Sequence, residues 1–106
     1  MSSLRFTASA ENDLLEAWRY LAEKNPAAAD RLLDQIVGEA QRLLAHPAQG
    51  RRRDELAAGL RSWPTATTYL LYYFIDDAGI VIARVLHHAR DVPAIESWPI
   101  QSVRNP

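Results

Sequence analysis

The residues best suited to chemistry are arginines in the second half of the chain. Arg61, Arg84 and Arg90 each lie in or just after a segment that we expect to form a strand, and Asp91 follows Arg90 directly. A guanidinium group makes forked contacts with a carboxylate or a phosphate. Three such groups near one sheet can bind an anionic partner. Equally, they can pair with acids of the chain itself, such as Asp91, Glu96 or acids on the helices, and the residue types leave both possibilities open.

The histidines do not form a pattern typical of a metal site. His87 and His88 are adjacent, and neighbouring side chains of a strand point to opposite faces, so we expect that they do not bind one ion together. His46 lies elsewhere, beside Pro47, and the chain has no cysteine. Its glycines are isolated, which argues against a phosphate-binding loop. We therefore expect no metal, no cofactor and no catalytic group, although His87 can act singly as an acid or base.

Length and composition indicate one globular domain. The chain has 106 residues, of which 48% are hydrophobic and 24% are charged. The formal net charge is −1, whereas nucleic-acid-binding proteins usually carry a clear positive excess. No segment resembles a secretion signal or reaches the roughly 18 apolar residues of a membrane span. Because cysteine is also absent, we expect a soluble, cytoplasmic protein.

Hydrophobic periodicity predicts two helices after a short strand at Leu4 to Phe6. The first helix follows Thr7 or Ser9 as its N-cap. The second begins at Asn25-Pro26, a favoured pair of helix-starting residues, and ends before Pro47. So short a connection predicts an antiparallel helical hairpin.

The rest of the chain predicts strands, at Leu60 to Trp63, Thr67 to Ile75 and Ile80 to His87, with a turn at Asp76 to Gly79. The order is β-α-α-β-β-β. We therefore expect an α+β fold in which the two-helix hairpin packs on a small, twisted antiparallel sheet. The domain should span residues 1–95, followed by an irregular tail over residues 96–106, which has two prolines and little periodicity.

The turn predicts that both faces of the sheet are apolar. If Ile75 lies opposite Ile80, one face carries Leu70, Tyr72 and Phe74 with Val81, Ala83 and Val85. The other face carries Tyr69, Leu71, Tyr73 and Ile75 with Ile80, Ile82, Arg84 and Leu86. The helical hairpin can cover only one of them. A large uncovered apolar face usually marks a partner site, unless the tail folds back over it.

A set of short segments, in this order and at these spacings, resembles the ParE-type toxins of the ParE/RelE superfamily over about Leu4 to Ile95. The segments are Asn25 to Ala29, Leu44 to Pro47, Gly50-Arg51, Asp54 to Leu56, Gly59 to Ser62, Arg84 to His87 and Ala89 to Asp91. The resemblance implies the same fold as the order of elements does. Two features depart from the family pattern: His88 stands where glycine is frequent, and the tail is longer.

The resemblance also implies partners. A cognate antitoxin, ParD-like with a ribbon-helix-helix DNA-binding part, wraps the toxin in a hetero-oligomer and alone contacts operator DNA. ParE-like toxins inhibit DNA gyrase without chemistry of their own, whereas RelE-like toxins cut messenger RNA in the ribosome. RelE-like nucleases are strongly basic, while this chain is nearly neutral with one lysine, Lys24. The residues therefore favour gyrase inhibition. The alternatives are a ribosome-dependent endoribonuclease and a non-toxic co-repressor.

On this basis, we expect gyrase contacts from Arg61, Arg84, His87 and Arg90, with Asp91 in a structural role that holds Arg90. The expected antitoxin contacts lie on the sheet face that we expect the helices to leave uncovered. They are Tyr69, Leu71, Tyr73, Ile80, Ile82 and Leu86. The alternative is that the antitoxin covers the outer groove of the helical hairpin.

Overall fold

The computed structural model describes residues 2–88 and Trp98, and it has the α+β architecture expected from the sequence. Its elements are β1 Ser3–Phe6, α1 Ala8–Ala22, α2 Pro26–Ala45, a 3-10 turn at Pro47–Gln49, β2 Arg51–Arg52, β3 Arg61–Pro64, β4 Tyr69–Asp76 and β5 Gly79–His87. The two helices pack on one face of the sheet. Within the described residues, no helix is long and apolar enough to cross a membrane.

Both helices begin at side-chain caps that the sequence predicts. The Thr7 hydroxyl accepts a hydrogen bond from the Ala10 backbone N–H at 3.0 Å. The Asn25 side chain accepts one from the Ala28 N–H at 3.0 Å, and Pro26 occupies the first position of α2. These caps satisfy backbone donors that a helix leaves unpaired at its start. Thr7, and not Ser9, is therefore the N-cap of α1.

The sheet has five strands in the order β1-β5-β4-β3-β2. The sheet is mixed, whereas the sequence predicts a wholly antiparallel one. The difference is β1, which pairs with β5 in parallel, with Leu4 opposite Ile80. A parallel pair needs a long crossover, which the helical hairpin supplies. The two-residue strand β2 extends the sheet beside β3.

The β4–β5 hairpin turns where the sequence predicts, with Ile75 opposite Ile80. Gly79 has a φ of +141° and lies so close to the backbone of Ser3 that a side chain would clash with it. Farther along, the register shifts between Tyr72, which pairs with Arg84, and Tyr73, which pairs with Ile82. Ala83 is the extra residue of this β-bulge.

The bulge changes which residues share a face, and the expected grouping is wrong beyond it. Val85 packs in the cluster of Leu71, Tyr73, Ile80 and Ile82, whereas Leu86 packs in a second cluster. An inserted residue reverses the alternation of side chains along a strand, which accounts for the exchange of Val85 and Leu86 between the two faces. Each face nevertheless has its own apolar cluster, as the alternation on both strands predicts.

Arg90, Asp91 and the expected boundary at residues 95 and 96 lie outside the described residues. Trp98 is the one described residue after His88.

Candidate functional site

Arg84 is fixed by an acid on the first helix. Its Nε and Nη2 atoms donate to the two carboxylate oxygens of Asp13 at 2.7 and 2.9 Å. The same carboxylate accepts the backbone N–H of Val85 at 2.9 Å. The hydrogen bonds to Asp13 raise the pKa of Arg84 above its ordinary value. Of the two possibilities that the sequence leaves open for this arginine, the structure shows pairing with a helix acid.

Thr7 and Asp13 together bind the part of β5 that lies beyond the end of β1. The Thr7 hydroxyl donates to the Ala83 carbonyl at 2.8 Å, and the Thr7 N–H donates to the Ile82 carbonyl at 3.0 Å. Both Thr7 and Asp13 are buried. The start of α1 therefore satisfies backbone groups around the bulge that no neighbouring strand reaches.

His87 lies in a polar cleft between α1 and β5. The cleft has a volume of about 190 Å³ and is lined by Asp13, Glu16, Ala17, Tyr69, Val85 and His87. Tyr69 lies opposite His87 in the sheet, and the two rings meet edge to face with centroids 5.4 Å apart. Two acids, a phenol and an imidazole thus line one cleft, and one of the acids, Asp13, binds Arg84.

His87 and His88 are closer than alternation along a strand predicts. Their rings stack with centroids 4.6 Å apart, because β5 ends at His87 and His88 no longer follows the strand. The two side chains therefore do not point to opposite faces as expected. Residues 2–88 and Trp98 contain no group of three or more histidine, aspartate or glutamate side chains arranged to hold a metal ion.

Arg61 lies on β3, which is separated from β5 and Arg84 by the central strand β4. Its Nη1 donates to the carbonyl oxygens of Ala48 and Gly50 at 3.1 and 2.8 Å, so it holds the segment after α2. The side chain is half-buried. Arg61 and Arg84 thus occupy different strands and different hydrogen-bond networks, and as target contacts they stay predictions, with Arg90 outside the described residues.

Most of the expected antitoxin contacts are core residues. Leu71, Tyr73, Ile80 and Ile82 are each 0% exposed and pack against α2, around Ile36 and Leu43. This face is therefore the covered one, contrary to the expectation. Tyr69 is half-buried at the edge of the same cluster, and Leu86 belongs to the opposite face.

The opposite face of the sheet, called the second face below, is closed mainly by a loop and by a tail residue. Its buried residues are Leu60, Tyr72, Phe74, Val81, Ala83 and Leu86. Leu56, Ala57 and Leu70 pack at its margin, together with Trp98. The Trp98 and Tyr72 rings lie 5.3 Å apart between centroids and are tilted by 41°. Trp98, a residue of the tail, thus folds back and covers part of a sheet face.

The charge run before β3 is paired within itself. Arg52 contacts Asp54 and Arg53 contacts Glu55, each at 2.8 Å. Asp54 also accepts the Gly59 N–H at 2.9 Å, which tightens the loop that covers the second face. Arg52, Asp54 and Glu55 are exposed, while Arg53 is half-buried beside Tyr72.

A wider cleft of about 410 Å³ lies between the end of α2 and β3. Glu39, Arg42, Ala45, His46, Gln49 and Trp63 line it. Glu39 is buried and accepts hydrogen bonds from the Trp63 indole N–H at 3.3 Å and the Ala66 backbone N–H at 2.7 Å. The carboxylate thereby fixes the indole ring that forms one wall of the cleft.

Sequence reasoning missed Asp13, Glu39 and Trp98 as positioning residues. A signal exists for two of them, because Asp13 and Glu39 fall on the apolar sides of their helices, where an acid needs a partner. Trp98 carries no comparable signal, since it stands alone in an aperiodic segment.

Known proteins resemble this chain over most of its length. Residues 4–92 match the family described as "ParE toxin of type II toxin-antitoxin system, parDE". Toxin RelE3 of Caulobacter vibrioides is 34% identical over 87 residues, which cover 82% of this chain and 95% of the relative. Toxin RelE2 of the same organism is 29% identical over 90 residues, which cover 85% and 99%.

A solved structure has the same fold. It is described as "Chromosomal ParDE TA system from P. aeruginosa", and it superposes with a TM-score of 0.71 at 22% identity, covering 82% of this chain and 96% of that one. Likeness at that level of identity concerns the fold alone.

Proposed function

The chain belongs to the ParE toxin family of type II toxin–antitoxin systems, and from this premise we propose that it inhibits DNA gyrase by binding it and is neutralised by a cognate antitoxin. Inhibition by binding requires no catalytic group. It requires a rigid surface with anchoring side chains, among which arginine is enriched at protein interfaces.

The observation that carries the proposal is the internal pairing of arginines on and beside the sheet. Arg5 binds Asp76, Arg84 binds Asp13, and Arg52 and Arg53 bind their neighbouring acids. A ribosome-dependent nuclease must hold a polyanion, and phosphate binding depends on cations that are free to replace its counterions. With a net charge of −1 as well, the chain is better suited to a protein target than to RNA.

Arg61 is the arginine on the sheet best placed to contact that target. Only its Nη1 is used by the Ala48 and Gly50 carbonyls, and no acid within the described residues forms an ion pair with it. A half-buried guanidinium of this kind is held in place at one nitrogen and can donate from the others.

The antitoxin is part of the same proposal. The P. aeruginosa structure is described as a ParDE TA system. We expect a ParD-like partner with a ribbon-helix-helix domain, which contacts operator DNA for both chains in the cytoplasm.

Purified gyrase tests the target. Supercoiling should fall as toxin is added, with inhibition complete near stoichiometric amounts and with cleaved DNA trapped on the enzyme. Arg61→Ala should weaken inhibition, whereas Arg31→Ala, which removes an exposed cation on α2, should not. Full supercoiling at a large molar excess of folded toxin would defeat the proposal.

One observation favours the ribonuclease alternative. Glu16, Tyr69 and His87 share the cleft beside β5, and such groups can transfer protons. Toxin added to translating ribosomes with a defined message should leave that message intact under the gyrase proposal. Codon-dependent cuts that disappear in His87→Ala would assign the chain to the nuclease branch. If expression without antitoxin causes neither gyrase inhibition nor cleavage of messenger RNA, the result favours the non-toxic co-repressor.

A further inference from the structure

The second face of the sheet is an apolar surface that needs a cover from outside the sheet. Tyr72, Phe74, Val81 and Leu86 are 2%, 6%, 3% and 2% exposed, so little of this face reaches water. The loop residues Leu56, Ala57 and Leu60 provide part of the cover. Among the described residues beyond β5, Trp98 provides further cover.

Trp98 rests on this face without polar anchorage to the described residues. Its ring meets Tyr72 at a tilt, with centroids 5.3 Å apart, and it joins the cluster through apolar contact. No hydrogen bond or ion pair connects it to another described residue. It is half-buried, while Tyr72 beneath it is almost completely buried. Another aromatic side chain of similar size can satisfy the same surface.

Trp98 also lies outside the part of the chain that the family shares. The match to the toxin family ends at residue 92, and the 87 aligned residues of RelE3 make up 95% of that relative. The segment that matches the family, residues 4–92, therefore does not include this tryptophan.

We propose that Trp98 is a displaceable intramolecular ligand of the second face, which is a binding site for an aromatic side chain on an apolar segment of a protein partner. In the unbound toxin the chain occupies this site itself. A partner segment that carries an aromatic residue competes with Trp98 for Tyr72 and its apolar neighbours. The proposal goes beyond the gyrase function and does not depend on it.

The edge of the site adds a polar requirement. The Arg53 guanidinium lies 5.9 Å from the centroid of the Tyr72 ring, and Glu55 holds its Nε at 2.8 Å. The Tyr72 ring thus lies near a cation as well as near Trp98, so a partner side chain that replaces Trp98 must fit beside a charged group.

The test uses the full chain and a peptide in trans. A fluorescent peptide with the sequence of residues 94–102 should bind Trp98→Ala about tenfold more tightly than it binds the wild-type chain, because the wild-type site is already filled. A matched peptide with alanine in place of tryptophan should bind neither protein. Fluorescence anisotropy measures all four combinations.

Trp18→Ala is the control protein, since Trp18 is also half-buried but packs between the helices and bonds to Asp30. It should bind the peptide no better than wild type. Equal affinity of the peptide for wild type and for folded Trp98→Ala, or no binding to that variant, would overturn the proposal. So would a Trp98→Ala chain that does not fold by circular dichroism, because Trp98 would then be an integral part of the core. None of these results depends on gyrase or the antitoxin.

Discussion

Asp13 on α1 binds Arg84 on β5 through both of its carboxylate oxygens and also accepts the Val85 backbone N–H. One side chain thus joins α1 to β5, the strand that pairs with both β1 and β4. The Asp13 side chain is 7% exposed and that of Arg84 is 21% exposed. If a substitution removes these hydrogen bonds, water can therefore replace few of them.

Asp13→Ala should therefore lower the free energy of unfolding by about 2–4 kcal/mol, because it leaves a largely buried guanidinium and a buried N–H unpaired. Urea denaturation measures the change. Asp34→Asn, at an exposed position of α2, should change it by less than about 0.5 kcal/mol. A loss that small for Asp13→Ala would show that the pair contributes little to the fold.

Gly79→Ala should destabilise the protein by roughly 2 kcal/mol or more. Its φ of +141° disfavours a side chain, and a Cβ there would clash with the Ser3 backbone across the β1–β5 pair. Gly38→Ala is the matched substitution, since Gly38 is inside α2 and an added Cβ would meet only Arg42 Nη1, at an ordinary contact distance of 3.8 Å. It should stabilise by about 0.5–1 kcal/mol through helix propensity. Melting temperatures that move in the same direction for both variants would contradict this interpretation.

The Arg5–Asp76 pair should make stability depend on acid pH. The hydrogen bond from Arg5 lowers the pKa of Asp76, so the unfolded chain binds a proton more readily than the folded one. The contribution is therefore present above the ordinary aspartate pKa of about 3.9 and is lost as pH falls through the lower folded value. Asp76→Asn should flatten the decline of the urea midpoint in this acid range. If the urea midpoint of Asp76→Asn falls as steeply as that of the wild type, other carboxyl groups cause the acid sensitivity.

Tyr73→Phe should cost about 1–3 kcal/mol although it removes a single oxygen. The hydroxyl donates to the Pro47 carbonyl at 2.6 Å and accepts the N–H of buried Gly50 at 3.0 Å. Without it, a buried donor has no partner. Tyr72→Phe, on the other face, gives the comparison and should be milder, since within residues 2–88 the Tyr72 hydroxyl bonds to no backbone group. Chemical denaturation measures the free energy of unfolding of both variants. Equal losses would argue against the proposed role of the Tyr73 hydroxyl.

Local patterns predict the helices and the hairpin well. Thr7 and Asn25 cap the helices, and Ile75 lies opposite Ile80, because capping and turn chemistry are decided by a few adjacent residues. The parallel placement of β1 is not local. It depends on which edge of the hairpin the first strand reaches after the crossover, and the alternation in Leu4 to Phe6 is compatible with either direction.

The face assignments fail for a physical reason. The alternation up to Ile82 groups residues correctly, but the bulge at Ala83 reverses it for Val85 and Leu86. With two apolar faces, hydrophobicity does not decide which one the helices cover. The choice depends on packing against Ile36 and Leu43, which is a property of the assembled fold.

The long separations in sequence have a consequence for how the toxin is made. Arg5 and Asp76 are 71 positions apart, as are Asp13 and Arg84, and Thr7 reaches Ala83 across 76. A ribosome adds about 5–20 residues per second, so the first strand waits for several seconds without its pairing partner. The helical hairpin can form early, but its sheet cannot close until β5 has left the ribosome. We therefore expect the nascent chain to be harmless, and an antitoxin that recognises the completed sheet to meet its toxin only after synthesis ends.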